Sequence, residues 1–395
     1  MIRLLLIAAV ALSLSCATAM QALAAPALFG AEFEFHNAET SATEGISHPV
    51  LKKYQLAMRE KLEKICAVRR DCRVSSSPRK GLSSMDYVVT YEDGWSFRIS
   101  TDNGTIEVQT APATYEEFQE MRDRIQSDIF DVAAECELFP SAEEGAGHVH
   151  IGVVSGFNEN PLLLRNFIVD RANHPELAMG IFNHDPANAP PISELTVPQK
   201  RAFIAVIRDF DEGKITTTVE FARALNKQVY YATPSKWEPA EKYQDANVTR
   251  IDQFAYESDR QTLELRGFAA QANADVFLSE ILLLQRRIDY LESKDGRVGF
   301  GATLLTPETE LEAALGFYRF VTETGLPWKD YRSFLPKRIG EARLKEGAAT
   351  KILPHTPFTK LASEKKYNSR SDTRCAWLFR ALGRLSPKNL LFFGY

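Results

Sequence analysis

Four short segments of this chain place ionisable side chains at every second residue, a spacing that could build a metal or anion site. The first is residues 29–36, in which Glu32, Glu34 and His36 alternate with phenylalanines. Alternate residues of a strand share a face, so the two glutamates would lie side by side. Like charges this close repel each other, and a divalent cation is the simplest group that would make the arrangement favourable. For one such pair alone, a solvated outer face is the commoner explanation.

The other three segments repeat the arrangement. Glu107 lies in the segment 105–110, His148 and His150 in 148–151, and Glu264 with Arg266 in 261–267. If all four strands lie in one sheet, the ionisable residues gather on one face and an apolar stripe lies on the other. Carboxylates with neutral imidazoles suit two or more hard divalent ions, and a guanidinium suits a substrate carboxylate or a phosphoryl group.

The apolar faces of these strands need helices to cover them, and hydrophobic spacing predicts several. A hairpin is predicted from the alternating strands 85–91 and 95–100, and residues 66–84 read as a basic, serine-rich connection. A capping box at Thr114 and Glu117 predicts a helix to about residue 138. The other predicted helices are 47–65, 161–171, 175–182, 198–210, 217–225, 273–291 and 306–324.

The first residues are typical of a leader that is removed. Arg3 is followed by an apolar stretch from Leu4 to Leu14, and Ala22-Leu23-Ala24 has the pattern of a signal-peptidase site. We therefore expect a signal peptide at residues 1–24 and an exported protein, periplasmic or secreted. The apolar stretch is too short to span a bilayer, and no later stretch reaches that length.

The composition is that of an ordinary globular protein, with 45% hydrophobic and 25% charged residues. The formal net charge of −5 argues against a nucleic-acid binder and against a polybasic membrane binder. We expect a main domain at residues 25–295 and a helical extension at 296–395.

Four cysteines follow the leader, and an even number in an exported chain permits two disulfides. Cys66–Cys72 would close a short loop after a helix, and Cys136–Cys375 is the remaining pair. Sequence alone does not choose among the three pairings that four cysteines allow. Asn103 and Asn247 each begin an N-glycosylation sequon.

Four short motifs of this chain resemble those of a known superfamily. They are Gly30-Ala31-Glu32-Phe33-Glu34, Glu107-Val108-Gln109-Thr110, Gly147-His148-Val149-His150 and Glu264-Leu265-Arg266, and Arg250 precedes the last of them. They are similar to the glutamine synthetase and glutamate–cysteine ligase superfamily, most closely its amidoligase branch. The motifs occur in the same order as in that superfamily, over residues 29–268. The resemblance implies an α+β fold with a curved, mainly antiparallel sheet, helices on its outer face, and a charged inner face that forms the active site.

The resemblance also implies roles for these residues. Glu34 and Glu107 would share one Mg²⁺ (or Mn²⁺), and Glu32, His148 and Glu264 would hold a second ion that bridges the phosphates of ATP. Arg266 would bind the substrate carboxylate or an acyl-phosphate, with His150 and Arg250 near the phosphates. The implied activity is a carboxylate–amine ligase that forms an amide or isopeptide bond. Its partners would be small-molecule or peptide carboxylates and amines, among them a cell-wall peptide.

Export leaves a second hypothesis open. The compartment outside the inner membrane holds little nucleotide, and the chain has no Walker-type loop. The same sheet could instead serve a metal-dependent hydrolase, in which the metal activates water, or a non-catalytic binding protein of the cell envelope.

Overall fold

An antiparallel sheet runs through the centre of the computed structural model, which describes residues 26–79, 85–140, 146–177, 189–230, 242–300, 310–335, 339–340 and 344–345. Within these ranges eight strands pair in the order β2-β3-β4-β5-β1-β6-β8-β7. They are β1 (Phe29–Phe35), β2 (Cys72–Pro78), β3 (Met85–Tyr91), β4 (Ser96–Asp102), β5 (Thr105–Thr110), β6 (Gly147–Gly152), β7 (Ala246–Asn247) and β8 (Thr262–Leu265). Every pairing is antiparallel. The protein therefore combines helices with an antiparallel sheet.

The four strands that carry the alternating ionisable residues are neighbours in this sheet. β1 lies between β5 and β6, and β8 follows β6. The register places Glu34 opposite Glu107 and Glu32 opposite His148. Because residues directly opposite each other share a face, the register alone assembles the charged face.

The other face of β1 is apolar and packs against helical segments. Phe33 is 1% exposed, and its ring meets the edges of Phe130 and Phe277, each at a centroid distance of 5.0 Å. Phe277 also contacts Phe118 at 5.1 Å. The residues that alternate with the glutamates thus anchor the strand in the core.

Helical segments connect most of the strands. They are α1 (Ala38–Ser41), α2 (Pro49–Arg69), α3 (Tyr115–Glu120), α4 (Arg122–Ile125), α5 (Val132–Glu135), α6 (Val153–Phe157), α7 (Pro161–Asn173), α8 (Val197–Asp211), α9 (Thr218–Leu225), α10 (Thr249–Gln253), α11 (Ala274–Glu292), α12 (Glu310–Glu323) and α13 (Trp328–Tyr331). Single 3₁₀ turns occur at Pro175–Leu177, Ile192–Glu194, Ser258–Arg260 and Arg332–Phe334, and π turns at Gln126–Asp131 and Asn226–Tyr230. Most of the predicted helices are present with ends shifted by a few residues.

The helix predicted from Thr114 to about residue 138 is divided in the structure. Its capping box forms, with the Thr114 hydroxyl accepting from the Glu117 N–H. A break at Met121 and a π turn at Gln126–Asp131 then separate α3, α4 and α5. The apolar residues keep helical spacing across these irregular turns, so the sequence pattern did not predict the breaks.

The predicted connection at residues 66–84 was wrong, because residues 72–78 form the edge strand β2. Val74 pairs with Val89, and three serines continue the strand. An edge strand pairs on one side only and is largely exposed here, so it lacks the alternation that identifies a buried strand.

The predicted Cys66–Cys72 disulfide is confirmed. It joins the last turn of α2 to the start of β2. The other predicted bridge involves Cys375, which lies outside the described residues, and Cys136 is buried with a free thiol. The predicted signal peptide and the start of the helix predicted at 306 also lie outside the described residues.

No helix in the described part of the chain has the length and apolar character needed to cross a membrane.

We expect Phe33→Ala to lower the free energy of unfolding by about 3–5 kcal/mol, because it removes two aromatic contacts and leaves a cavity under β1. Urea denaturation followed by circular dichroism measures the change. Val68→Ala is the control, since Val68 is 83% exposed and its truncation should change stability by less than about 0.5 kcal/mol. Equal effects of the two substitutions would contradict this packing.

Candidate functional site

Glu32 lies at the centre of the charged face and contacts both histidines of β6. His148 Nδ1 is 2.9 Å from Glu32 Oε2, and His150 Nε2 is 3.0 Å from Glu32 Oε1. Gln109 on β5 donates to Glu32 Oε1 at 3.3 Å. The side chain of Glu32 is 15% exposed. The two strands that flank β1, β5 and β6, therefore both contact the nearly buried carboxylate of Glu32.

Glu264 on β8 forms the other half of this centre. Its Oε2 accepts a hydrogen bond from Asn247 Nδ2 at 2.6 Å, and its Oε1 accepts one from Arg266 Nη1. The Nδ1 atom of His148 lies 3.5 Å from Glu264 Oε1. Both oxygens are thus oriented by neighbouring side chains, and the group is 8% exposed.

The residues that could hold a metal ion can be identified from this geometry. Within the described residues, Glu32, His150 and Glu264 form a group whose ligand atoms all lie within 4.8 Å of one another. The Nε2 atom of His150 is buried and makes no aligned hydrogen bond. Two carboxylates and an imidazole nitrogen that lies 3.0 Å from one of them fit the preferences of a divalent ion such as Mg²⁺ or Mn²⁺.

This trio differs from the predicted one in its histidine. The resemblance assigned His148 to the metal, whereas the close group contains His150. Both imidazoles lie on the charged face, and His148 Nδ1 is engaged with the two carboxylates. The ligand roles of Glu32, Glu264 and either histidine stay predictions.

Glu34 and Glu107, the predicted ligands of another ion, face each other across β1 and β5. Glu34 Oε2 accepts from the Ala146 N–H at 2.8 Å. Glu107 Oε1 accepts from the Ser100 hydroxyl at 3.2 Å and from Gln109 Nε2. The structure therefore places the pair on the same face as Glu32, two residues further along β1.

Burial and nearby charges divide the four carboxylates into two groups. Burial acts to raise the pKa of Glu32, but the charge of His150 and a hydrogen bond from His148 hold it well below its usual value. Burial also acts to raise the pKa of Glu264, but the charge of Arg266 holds it below its usual value. These two carboxylates are therefore ionised beside the cations.

The pKa values of the other two carboxylates, Glu34 and Glu107, are raised instead. Burial raises the pKa of Glu34. The pKa of Glu107 lies well above its usual value because of burial, followed by the negative charge of Glu32. Crowding of carboxylates without enough positive charge thus favours a proton on this side of the site.

The two arginines of the predicted site lie in different environments. The backbone N–H of Arg266 donates to the Asp245 carbonyl at 2.8 Å, and its guanidinium faces the ring of Tyr243 at 5.6 Å. Arg266 Nε is buried and has no hydrogen-bond partner in the described part of the chain. Arg250 on α10 is exposed, with its guanidinium 5.5 Å from the centre of the Phe254 ring. Burial acts to lower the pKa of His150, but the charge of Glu32 and its hydrogen bond raise it above the usual value, and the charge of Arg250 makes a smaller opposing contribution.

The sequence pattern assigned no role to the amides that orient the carboxylates. Gln109 shares a face with Glu107, so the strand pattern contained a signal for it. Asn247 was read as the start of a glycosylation sequon, but it is 3% exposed and donates to Glu264, which rules out that reading for the folded chain. The strand β7 has only two residues, too few for a recognisable pattern.

The fold and the site together define a mixed helical and antiparallel-sheet protein with a buried carboxylate–imidazole–guanidinium centre. No protein-family model matches the chain, and no curated protein matches it.

Solved structures of similar shape include apo GmaS without ligand, at 12% identity and a TM-score of 0.36, covering 94% of this chain and 72% of that one. Another is a novel glutamine synthase homolog, at 14% identity and a TM-score of 0.35, covering 82% of this chain and 68% of that one. At these low scores we draw no conclusion about activity from either likeness.

We expect Glu107→Gln to stabilise the metal-free protein at neutral pH, by about 1–3 kcal/mol, the usual cost of an under-compensated buried polar group. The wild-type carboxyl binds its proton more tightly in the folded state than in the unfolded state. Its contribution to folding stability is therefore complete below about pH 4.5 and is lost as the pH rises through the raised pKa. The gain from Gln should therefore vanish in acid.

Urea denaturation in chelator across this pH range measures the difference, with the exposed Glu120→Gln as control. A Glu107→Gln protein that is less stable than wild type at pH 7 would show that the ionised carboxylate is well compensated.

Proposed function

We propose that the protein is an exported carboxylate–amine ligase that uses ATP with Mg²⁺ or Mn²⁺ and forms an amide or isopeptide bond through an acyl-phosphate. The observation that carries this proposal is the convergence of Glu32, His150 and Glu264 beside the guanidinium of Arg266. The motif resemblance over residues 29–268 agrees with it. One site then offers ligands for a divalent ion and a fixed cation for an anionic substrate group.

The proposed reaction needs such a combination. A carboxylate oxygen of the substrate attacks the γ-phosphorus of ATP and ADP leaves, after which an amine nitrogen displaces phosphate from the acyl carbon. Bound divalent ions would neutralise phosphoryl charge. Glu32, Glu264 and a histidine would hold one ion, and Glu34 with Glu107 would hold another.

The protein's own groups would orient and protect the reactants. Arg266 would bind the substrate carboxylate or the acyl-phosphate through donors that Glu264 leaves free, of which Nε is one. Asn247 and Gln109 would fix the carboxylate oxygens in place. The low exposure of the centre would limit the access of water, which would otherwise hydrolyse an acyl-phosphate.

The partners in this proposal are a small-molecule or peptide carboxylate and an amine. Export would favour a substrate of the cell envelope, of which a cell-wall peptide is one example. The disulfide between Cys66 and Cys72 agrees with an oxidising compartment.

We expect ATP with Mg²⁺ to raise the melting temperature of the wild-type protein, because a ligand that binds only the native state stabilises it increasingly as its concentration exceeds Kd. Glu264→Ala should remove the shift, since it deletes one metal ligand and the partner of Arg266. Thermal-shift titration measures both, with the exposed Glu120→Ala as the matched control.

The same titration separates the ligase from its alternatives. Stabilisation by metal without any response to ATP would contradict the ligase and favour the metal-dependent hydrolase or the binding protein. An ATP response that survives in Glu264→Ala would place the nucleotide elsewhere.

A further inference from the structure

A buried carboxyl group and a buried amide group form a pair that the proposed reaction does not use. Glu280 on α11 is 1% exposed, and its Oε2 atom accepts a hydrogen bond from Gln271 Nε2 at 2.7 Å. Gln271, in the segment between β8 and α11, is 2% exposed. Polar groups are costly to bury, so a pair of them kept in the core needs a physical explanation.

The amide group of Gln271 packs against Gly147, the first residue of β6. A Cβ atom at residue 147 would overlap the Oε1, Nε2 and Cδ atoms of Gln271, so a larger residue there would displace the amide. Gly147 lies opposite Phe33 in the sheet, and opposite residues share a face. The pair of Gln271 and Glu280 therefore supports β6 from the side opposite the carboxylates of the candidate site.

The start of β6 carries two groups that contact the carboxylates of the site. The Ala146 N–H donates to Glu34 Oε2 at 2.8 Å. The residue that follows Gly147 is His148, whose Nδ1 atom is 2.9 Å from Glu32 Oε2. A displacement of Gly147 would therefore move both contacts at once.

We propose that Glu280 and Gln271 are positioning residues for the candidate site, and that they fix the start of β6 through Gly147. This inference rests on the proposed function, because it treats the carboxylates on the other side of the sheet as metal ligands. Neither residue touches the metal or the substrate. Their support of β6 depends on a hydrogen bond in the core, so it weakens when Glu280 becomes charged without a cation to compensate it.

No cation among the described residues acts on Glu280. Burial raises the pKa of Glu280 to about 8, and the hydrogen bond from Gln271 is the opposing influence. The helices that pack against α11 are α3, α4 and α7. Their charged residues that form ion pairs do so with groups other than Glu280, and they are Arg122, Arg124, Arg165, Asp170 and Arg171. Glu280 is therefore mainly a neutral acid at neutral pH and becomes ionised in mild alkali.

Nuclear magnetic resonance of the metal-free protein tests whether Glu280 controls the start of β6. We expect the backbone amide signals of Ala146 and Gly147 to shift in a step with its midpoint at the pKa of about 8. Glu280→Gln should lack this step, because it keeps an acceptor for Gln271 but does not ionise. The histidines titrate in both proteins, so a step seen only in the wild type belongs to Glu280. Glu120→Gln, at an exposed position of α3, is the matched control and should keep the step.

Calorimetric titration of Mg²⁺, which does not oxidise in mild alkali, tests the coupling to the site. We expect the Mg²⁺ affinity of the wild type, relative to that of Glu280→Gln, to fall by at least about fivefold between about pH 7 and about pH 9. A residue that only stabilised the fold would change the melting temperature without changing this ratio. Gln271→Ala should weaken Mg²⁺ binding at about pH 7 by a similar factor, since it removes the group that packs against Gly147. Circular dichroism melting of each variant verifies that it is folded.

The inference is overturned if the wild type lacks the amide step, if Glu280→Gln keeps it, or if the ratio of Mg²⁺ affinities stays constant over this pH range. Failure of the proposed function gives a different result. A wild type that binds neither Mg²⁺ nor Mn²⁺ at neutral pH would overturn the ligase. The amide signals, which need no metal, would still decide whether Glu280 controls the start of β6.

Discussion

The structure depends on how the negative charge of several carboxylates is compensated on one largely buried face of the sheet. Glu32 is ionised there because two imidazoles contact it, and Glu264 is ionised because Arg266 does. Glu34 and Glu107 lack such partners, and their pKa values are raised. A centre with ionised and proton-holding carboxylates side by side is costly to keep in a fold, which is why such arrangements concentrate at functional sites.

The register of the sheet produces this centre, and the core fixes the register. A shift of β1 by one residue would turn Glu32 and Glu34 toward the helices and Phe33 toward the polar face. The edge contacts of Phe33 with Phe130 and Phe277 make that shift unfavourable. The residues between the glutamates are therefore as important for the site as the glutamates themselves.

Much of this could be predicted from the sequence, because strand alternation is a local signal. The pattern around Glu32, Glu107, His148 and Glu264 was sufficient to predict four strands with one charged face. His148 contacts both Glu32 and Glu264, and His150 contacts Glu32. Which ring nitrogen is available to a metal depends on register and rotamer, which are not local properties. Asn247 and β2 were missed for a related reason, since a two-residue strand and an exposed edge strand carry little periodicity.

The proposed function requires that Glu32, Glu264 and an imidazole hold a divalent ion. Calorimetric titration of Mn²⁺ into the wild type and Glu264→Gln at neutral pH tests it most directly, because the substitution keeps the volume and removes one ligand charge. We expect a folded variant whose Mn²⁺ affinity is at least about tenfold weaker than that of the wild type. Equal Mn²⁺ binding by the two proteins would contradict it.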